Sequence, residues 1–174
     1  MSDGIRDSGF GTRDARESPI PHPQSRTPYL SLAIATVFGV GYAPVAPGTF
    51  GSLVGLLIWP LLPASATVQS IVIVVLFVLG SVTGSAAERY YARRDPRHVV
   101  LDEVMGMLIT LYLVPVGWVA GVCGFLLFRL ADVVKPFPAN RLEALPGGVG
   151  VMADDGMAAI YAALALRIIL LFVR

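Results

Sequence analysis

Three charged residues that interrupt an apolar stretch are the first candidates for chemistry. Arg129, Asp132 and Lys135 recur at i, i+3 and i+6, so a helix would place them on one face within two turns. Lys135 is the only lysine of the protein. An ion pair between Asp132 and either cation would be a structural role. Two cations beside one acid would leave positive charge on the face, however, and that charge suits a phosphate.

Two pairs of neighbouring carboxylates also lie at predicted helix starts. Asp102 and Glu103 open an apolar segment, and Asp154 and Asp155 follow a glycine-rich one. Acids in a first helical turn favour the helix dipole, which would make them caps. Apolar residues both precede and follow Asp102 and Glu103, however, and burial of two adjacent carboxylates is unfavourable unless a cation compensates them. We therefore interpret this pair as functional.

The acidic residues are expected to converge on one face. The helix after Asp102 runs away from an arginine-rich end and the helix ending at Lys135 returns to it, so Asp102 and Asp132 should meet. Oxygen ligands with Arg and Lys nearby describe a hard-cation site suited to Mg²⁺ and a phosphate. The two histidines are poorly placed for nucleophilic catalysis, so the pattern favours metal-assisted phosphoryl hydrolysis at a membrane surface. The five convergent acids are Asp102, Glu103, Asp132, Asp154 and Asp155.

A proline- and glycine-rich segment, residues 44–51, predicts irregular backbone. A helix is expected to begin after it, near Gly51 or Ser52, with Thr49 as the N-cap. Free backbone N–H groups at such a start would favour an anion such as phosphate. The alternative is a simple helix-breaking turn between two membrane segments, because the spacing of a P-loop is absent.

Composition indicates a membrane protein. Of the 174 residues, 55% are hydrophobic and only 14% are charged, against about 25% charged in ordinary soluble domains. The net charge of +1 and the lack of a basic stretch interleaved with aromatics argue against nucleic acid as a partner. Residues 66–87 carry no charge and predict a transmembrane helix, and the arginines that follow place its end in the cytoplasm.

Domain organisation follows from the same distribution. Residues 1–28 are polar, arginine-containing and proline-containing, and they predict a disordered N-terminal tail. Residues 29–174 predict one all-α, membrane-embedded domain. Several of its apolar runs are too short to cross a bilayer, which indicates half-helices or re-entrant segments.

Four motifs resemble the phosphatidylglycerophosphatase A family of bacteria. They are Gly-x-Gly-Tyr-Ala-Pro-Val-Ala-Pro-Gly-Thr-Phe-Gly-Ser-Leu at 39–53, Asp-Glu-x-x-Gly at 102–106, Phe-Arg-x-x-Asp-x-x-Lys-Pro-x-Pro at 128–138 and Gly-Gly-x-Gly-x-Met-x-Asp-Asp at 147–155. Each motif is weak alone, but the ordered set is specific. It covers nearly all of residues 30–165.

The resemblance implies a fold and an activity. The fold is a compact bundle of about six helices in the bacterial inner membrane, with its active site on the cytoplasmic face. The activity is Mg²⁺-dependent removal of the terminal phosphate of phosphatidylglycerophosphate, which leaves phosphatidylglycerol and inorganic phosphate. The number of metal ions, the acyl-chain preference and the oligomeric state stay open.

The resemblance also implies roles for individual residues. The metal ligands would be the five acids, one of which would also activate water; which acid does so stays open. The substrate phosphate would be held by two cations and by donors of the Pro/Gly segment. These phosphate-binding residues are Arg129, Lys135, Pro47, Gly48, Thr49, Gly51 and Ser52.

Two other functions are weighed against this one. Asp154-Asp155-Gly156 resembles the acidic helix start of CDP-alcohol phosphotransferases, but the Ala-Arg and the later aspartates of that signature are absent here. A small cation transporter would also use acids within the membrane. Its acids would not be expected at one side only, and Arg129 and Lys135 would repel a permeating cation.

Overall fold

A computed structural model describes residues 28–173, which form a bundle of helices joined by loops and turns. The predicted all-α membrane bundle is thereby confirmed, with seven helices in this range because the connection near residue 140 contains a short one. The predicted disordered tail lies outside the described residues except for Pro28, and its division from the helical domain stays a prediction. The helices are α1 (Pro28–Ala35), α2 (Pro47–Ile58), α3 (Ala66–Tyr91), α4 (Leu101–Thr110), α5 (Trp118–Val134), α6 (Ala139–Leu142) and α7 (Gly148–Val173).

Helices α3 and α7 are the two long apolar helices of the described chain. Each has 26 residues, about 39 Å at 1.5 Å per residue, which exceeds the roughly 30 Å of a hydrocarbon core. Only 22% of the most apolar stretch of α3 is buried, and Val74 and Val78 on its outer face are more than half exposed. The length and composition of α3 confirm the transmembrane candidate at 66–87.

Helix α4 is short and lies in the middle of the bundle. Most of its ten residues are buried between α2 and α7. Helix α2 approaches it through glycines: a Cβ on Gly51 would lie 2.8 Å from the carbonyl oxygen of Val100, and one on Gly55 2.8 Å from that of Val104. Because no side chain could fit there, these glycines allow α2 to pack directly on the backbone that carries Asp102 and Glu103.

The helices alternate in direction, so each end of the bundle contains the starts of some helices and the ends of others. At one end, the N–H of Leu113 after α4 donates to Gln69 Oε1 in the first turn of α3 (2.8 Å), and Arg167 of α7 donates to the Tyr112 carbonyl (2.7 Å). At the other end, Arg94 after α3 donates to the Glu143 carbonyl (2.9 Å). That arginine-rich end therefore holds the start of α4, the end of α5 and the start of α7.

The predicted start of α2 near Gly51 or Ser52 is wrong. The helix begins at Pro47, and its N-cap is Ala46 in a left-handed conformation (φ 48°). Proline at the first helical position loses no hydrogen bond and has a suitable φ, so the Pro/Gly segment starts a helix rather than a loop. Thr49 lies inside the first turn and is not the cap.

The predicted start of α7 at its carboxylate pair is also wrong. The helix begins at Gly148, which places Asp154 and Asp155 in its second turn. Gly148 lies against α3, where its N–H donates to Ser85 Oγ (2.9 Å) and an added Cβ would lie 2.5 Å from the Ser81 carbonyl oxygen. This close contact fixes the early start of the helix.

We predict that Gly106→Ala destabilises the protein by about 1–3 kcal/mol, the usual range for overpacking. A Cβ at Gly106 would meet the ring of the fully buried Phe128. Gly156→Ala is the matched control, since its Cβ would lie 3.8 Å from the Met105 side chain and the change favours helix by up to about 1 kcal/mol. The melting temperature in detergent should fall for Gly106→Ala and not for Gly156→Ala. Equal changes in the two melting temperatures would contradict this packing.

Candidate active site

Most of the predicted site residues line one cavity of about 220 Å³ at the arginine-rich end. All five predicted acids line it, which agrees with their expected convergence. Two further charged residues, from the linker between α3 and α4, line it as well. Its charged lining consists of Asp95, Arg97, Asp102, Glu103, Arg129, Asp132, Lys135, Asp154 and Asp155.

Three carboxylates form the innermost part of the cavity. Asp102 and Glu103 come from the first turn of α4 and Asp155 from α7, and one oxygen of each lies within 4.8 Å of the others. Asp102 and Asp155 are each 5% exposed. Asp102 Oδ1, Glu103 Oε2 and Asp155 Oδ2 are buried without a hydrogen-bond partner among the described residues. Unpartnered buried carboxylate oxygens are costly, so a bound cation would stabilise this cluster.

Burial shifts the ionisation of these acids. It raises the pKa of the Asp102 carboxyl well above its ordinary value, and the adjacent Glu103 raises that pKa further. Burial also raises the pKa of Glu103 to about 8, although a hydrogen bond with Asp102 and the charge of Arg129 act in the opposite direction. At this pair the effect of burial on the pKa therefore outweighs that of the neighbouring Arg129 charge.

Arg129 contacts acids from two helices. Its Nη1 lies 2.7 Å from Asp132 Oδ2 on its own helix and 4.0 Å from Glu103 Oε1 on α4. The same nitrogen donates to Ser52 Oγ on α2 at 3.4 Å. The face predicted from the i, i+3 spacing is present, and Arg129 is paired with Asp132 on it.

Lys135 lies just beyond that helix and pairs with two other acids. It is the C-cap of α5, in a left-handed conformation (φ 46°). Its Nζ donates to Asp154 Oδ2 at 2.5 Å and to Glu143 Oε2 at 3.1 Å. Burial alone would lower the pKa of Lys135, but these two partners outweigh burial and raise it. The lysine is thus charged and bound to α6 and α7.

The helical conformation of the predicted phosphate-binding segment places only some of its residues at the cavity. Pro47 and Gly48 line the cavity, and a Cβ on Gly48 would meet Glu103 Oε1 and the Arg129 guanidinium. Thr49, Gly51 and Ser52 are outside the lining. Ser52 is fully buried and donates to the Gly48 carbonyl at 2.9 Å.

Asp95 and Arg97 line the cavity but were not predicted as site residues. Sequence reasoning used the arginines of this linker only to orient the membrane helix. The linker enters α4 at Leu101, one residue before Asp102, and that proximity was the available signal. Burial raises the pKa of Asp95, while the charge of Lys135 acts in the opposite direction.

The charge of the cavity decides what it can bind. Six acids and three basic residues line it, a formal charge of −3 when all are ionised. A phosphate is itself an anion, so it cannot enter unless cations compensate this excess. The unpartnered oxygens of Asp102, Glu103 and Asp155 are hard ligands of the kind that Mg²⁺ binds, so the residues fit a divalent cation.

Comparison with known proteins identifies the family. The family model described as phosphatidylglycerophosphatase A matches residues 33–170, which include every cavity-lining residue. The chain belongs to the phosphatidylglycerophosphatase A family. The predicted resemblance is confirmed, and no solved structure matches the chain.

Three curated relatives match most of the length of this chain. A Bacteroides thetaiotaomicron protein provisionally named phosphatidylinositol-3-phosphatase is 36% identical over 82% of this chain and 95% of its own. Phosphatidylglycerophosphatase A of Haemophilus influenzae is 35% identical (76% and 84% covered), and that of Escherichia coli is 33% identical (75% and 77% covered). The phosphatidylglycerophosphatase A family member described here is accordingly a phosphatase, associated with a membrane.

We predict that Lys135→Met lowers both activity and stability of this phosphatase. The side chain of Asp154 is only 4% exposed, so losing its cation leaves a buried unpaired charge. The cost should be about 1–3 kcal/mol, below the roughly 3–5 of a fully buried pair because Lys135 is 29% exposed. Adding Asp154→Asn should restore the melting temperature but not the activity. A double variant as unstable as Lys135→Met would contradict this pairing.

Proposed function

We propose that this protein removes the terminal phosphate of phosphatidylglycerophosphate in a Mg²⁺-dependent reaction, yielding phosphatidylglycerol and inorganic phosphate. The observation that carries the proposal is the buried trio Asp102, Glu103 and Asp155, whose unpartnered oxygens lie in a cavity with excess negative charge. A phosphate could reach such a cavity only with a cation in place. Membership of the phosphatidylglycerophosphatase A family supports the choice of reaction.

The residues divide between holding the cation and shaping the cavity. Asp102, Glu103 and Asp155 would hold Mg²⁺, with Asp132 and Asp154 next to them. Bound Mg²⁺ would polarise the phosphate and favour ionisation of a water molecule. One of the five acids would accept the proton of the attacking water, and the apolar core around α4 excludes bulk solvent behind them.

Arg129 and Lys135 have a second role in this proposal. Each holds an acid in place, Asp132 and Asp154 respectively, so that these carboxylates face the cavity. A guanidinium has five N–H donors and an ammonium has three, so both retain donors for a phosphate oxygen. Pro47 and Gly48 form the wall beside Arg129, where a side chain at residue 48 would obstruct the cavity.

Two phosphomonoester lipids are candidate substrates. The relatives from Haemophilus influenzae and Escherichia coli are named after phosphatidylglycerophosphate, and the one from Bacteroides thetaiotaomicron after a phosphatidylinositol 3-phosphate activity. Both names describe a phosphate on the headgroup of a glycerolipid. The family description favours phosphatidylglycerophosphate here.

The proposed location is the inner membrane, crossed more than once, with the cavity at the cytoplasmic face. The helices α3 and α7 supply two candidate spans. Arg89 lies in the last turn of α3, and Arg93, Arg94 and Arg97 follow the helix at the cavity end. Such clusters mark cytoplasmic ends. A phosphatase that acts on a newly made lipid headgroup would meet its substrate there.

The decisive experiment is phosphate release by detergent-solubilised protein with phosphatidylglycerophosphate or phosphatidylinositol 3-phosphate. We expect turnover of phosphatidylglycerophosphate with Mg²⁺, loss of turnover in EDTA, and recovery when Mg²⁺ is restored. Turnover insensitive to EDTA would refute the metal dependence. Preferential turnover of the inositol lipid would refute the proposed substrate but leave the reaction class intact.

We predict that Asp155→Asn reduces kcat by about a hundredfold or more, because an amide is a neutral and weaker ligand for Mg²⁺. It should also abolish the rise in melting temperature that Mg²⁺ gives to the wild-type protein, a readout independent of turnover. Glu143→Gln is the control, since Glu143 lies outside the cavity lining with its side chain 42% exposed. Asp155→Asn protein that is still stabilised by Mg²⁺ would exclude Asp155 as a ligand.

A further inference from the structure

The three basic residues that line the cavity differ in their partners. Arg129 lies 2.7 Å from Asp132 Oδ2, and Lys135 pairs with both Asp154 and Glu143. Arg97 forms no ion pair with an acid anywhere in residues 29–172. The positive charge of Arg97 is therefore the one in the lining that is not already used to neutralise a carboxylate.

The backbone on the C-terminal side of Arg97 is fixed by His98. The imidazole of His98 packs between Tyr42 and Tyr91, with ring centroids 5.0 and 5.6 Å away. Its Nδ1 lies 3.1 Å from the carbonyl oxygen of Gly41. Arg97 is thus attached to a residue that is held by two other segments of the protein.

The N-terminal side of Arg97 is fixed as well. Pro96 is buried, and the N–H of Val99 donates to the Pro96 carbonyl at 2.8 Å, which closes a turn with Arg97 as its second residue. Arg97 lines the cavity while remaining exposed, so it lies at the entrance rather than among the buried carboxylates.

We propose that Arg97 is a substrate-binding residue that binds the phosphomonoester at the entrance of the cavity. This inference rests on the function proposed above. A guanidinium can donate two parallel hydrogen bonds to phosphate oxygens, and it remains charged at every relevant pH. Since Arg97 has no carboxylate partner to give up, binding of a phosphate costs it no existing ion pair. Arg129 and Lys135 do not have this property.

A second interpretation of an exposed arginine at a membrane end is attraction to anionic lipid headgroups. Arg93 provides the matched control, because it belongs to the same cluster and is exposed but does not line the cavity. If Arg97 acted only through the membrane surface, loss of either arginine would have the same effect. If it binds the phosphate, only Arg97 should matter.

The test is steady-state phosphate release from phosphatidylglycerophosphate in a neutral detergent by wild-type, Arg97→Gln, Arg97→Lys and Arg93→Gln proteins with Mg²⁺. For Arg97→Gln we expect KM to rise by about tenfold or more, the value of one charged hydrogen bond. The inhibition constant of inorganic phosphate should rise by a similar factor. Arg97→Lys should recover part of the loss, and Arg93→Gln should stay within about twofold of wild type.

Both constants are independent of the amount of folded protein, so partial unfolding of a variant would not obscure the result. Equal KM values for Arg97→Gln and Arg93→Gln would overturn the inference, whether both are changed or neither is. So would a raised KM with unchanged inhibition by phosphate. Absence of turnover by the wild-type protein would instead refute the proposed function, which keeps the two failures distinct.

Discussion

The structure depends on burying three carboxylates from two helices within reach of one another. Asp102 and Glu103 of α4 and Asp155 of α7 have oxygens within 4.8 Å, and each has one without a hydrogen-bond partner in the described chain. Like charges at that distance in an apolar bundle oppose folding. The packing of the bundle must therefore offset the cost of placing these groups together. Helix α4 is held closely on two sides: the glycines of α2 lie against its backbone, and its Gly106 fits against Phe128 of α5.

The division of the basic residues follows from this constraint. If Arg129 and Lys135 neutralised the trio, no ligand atoms would be left for a cation. They are instead paired mainly with Asp132 and Asp154, outside the trio, which they also orient. The trio keeps oxygens without a hydrogen-bond partner among the described residues, and these fit the divalent cation proposed above. In the proposed function, acids inside the cavity would attract a metal ion, and the basic residues of the lining would then attract an anion.

Sequence alone predicted the convergence of the acids better than the local backbone. Acids are rare in an apolar chain, and their expected convergence needed only helices that alternate in direction. The starts of α2 and α7 were misplaced because Pro47 and Gly148 normally favour turns. In this structure both residues start helices instead. Pro47 fits the first turn of α2, and Gly148 packs against the backbone of α3. Arg97 was missed because linker residues carry no periodicity from which a shared face could be inferred.

The position of the trio along the helices fits a lipid headgroup as substrate. Asp155 is the eighth residue of α7, which places it about 10 Å from the start of that helix at 1.5 Å per residue. A helix of 26 residues is about 39 Å long, so it extends several ångströms beyond each side of a roughly 30 Å hydrocarbon core. The carboxylates then lie a few ångströms beneath the boundary between headgroups and hydrocarbon. The phosphate of the proposed lipid substrate lies in the headgroup region above that boundary, so it would enter the cavity from the exposed side, where Arg97 lies.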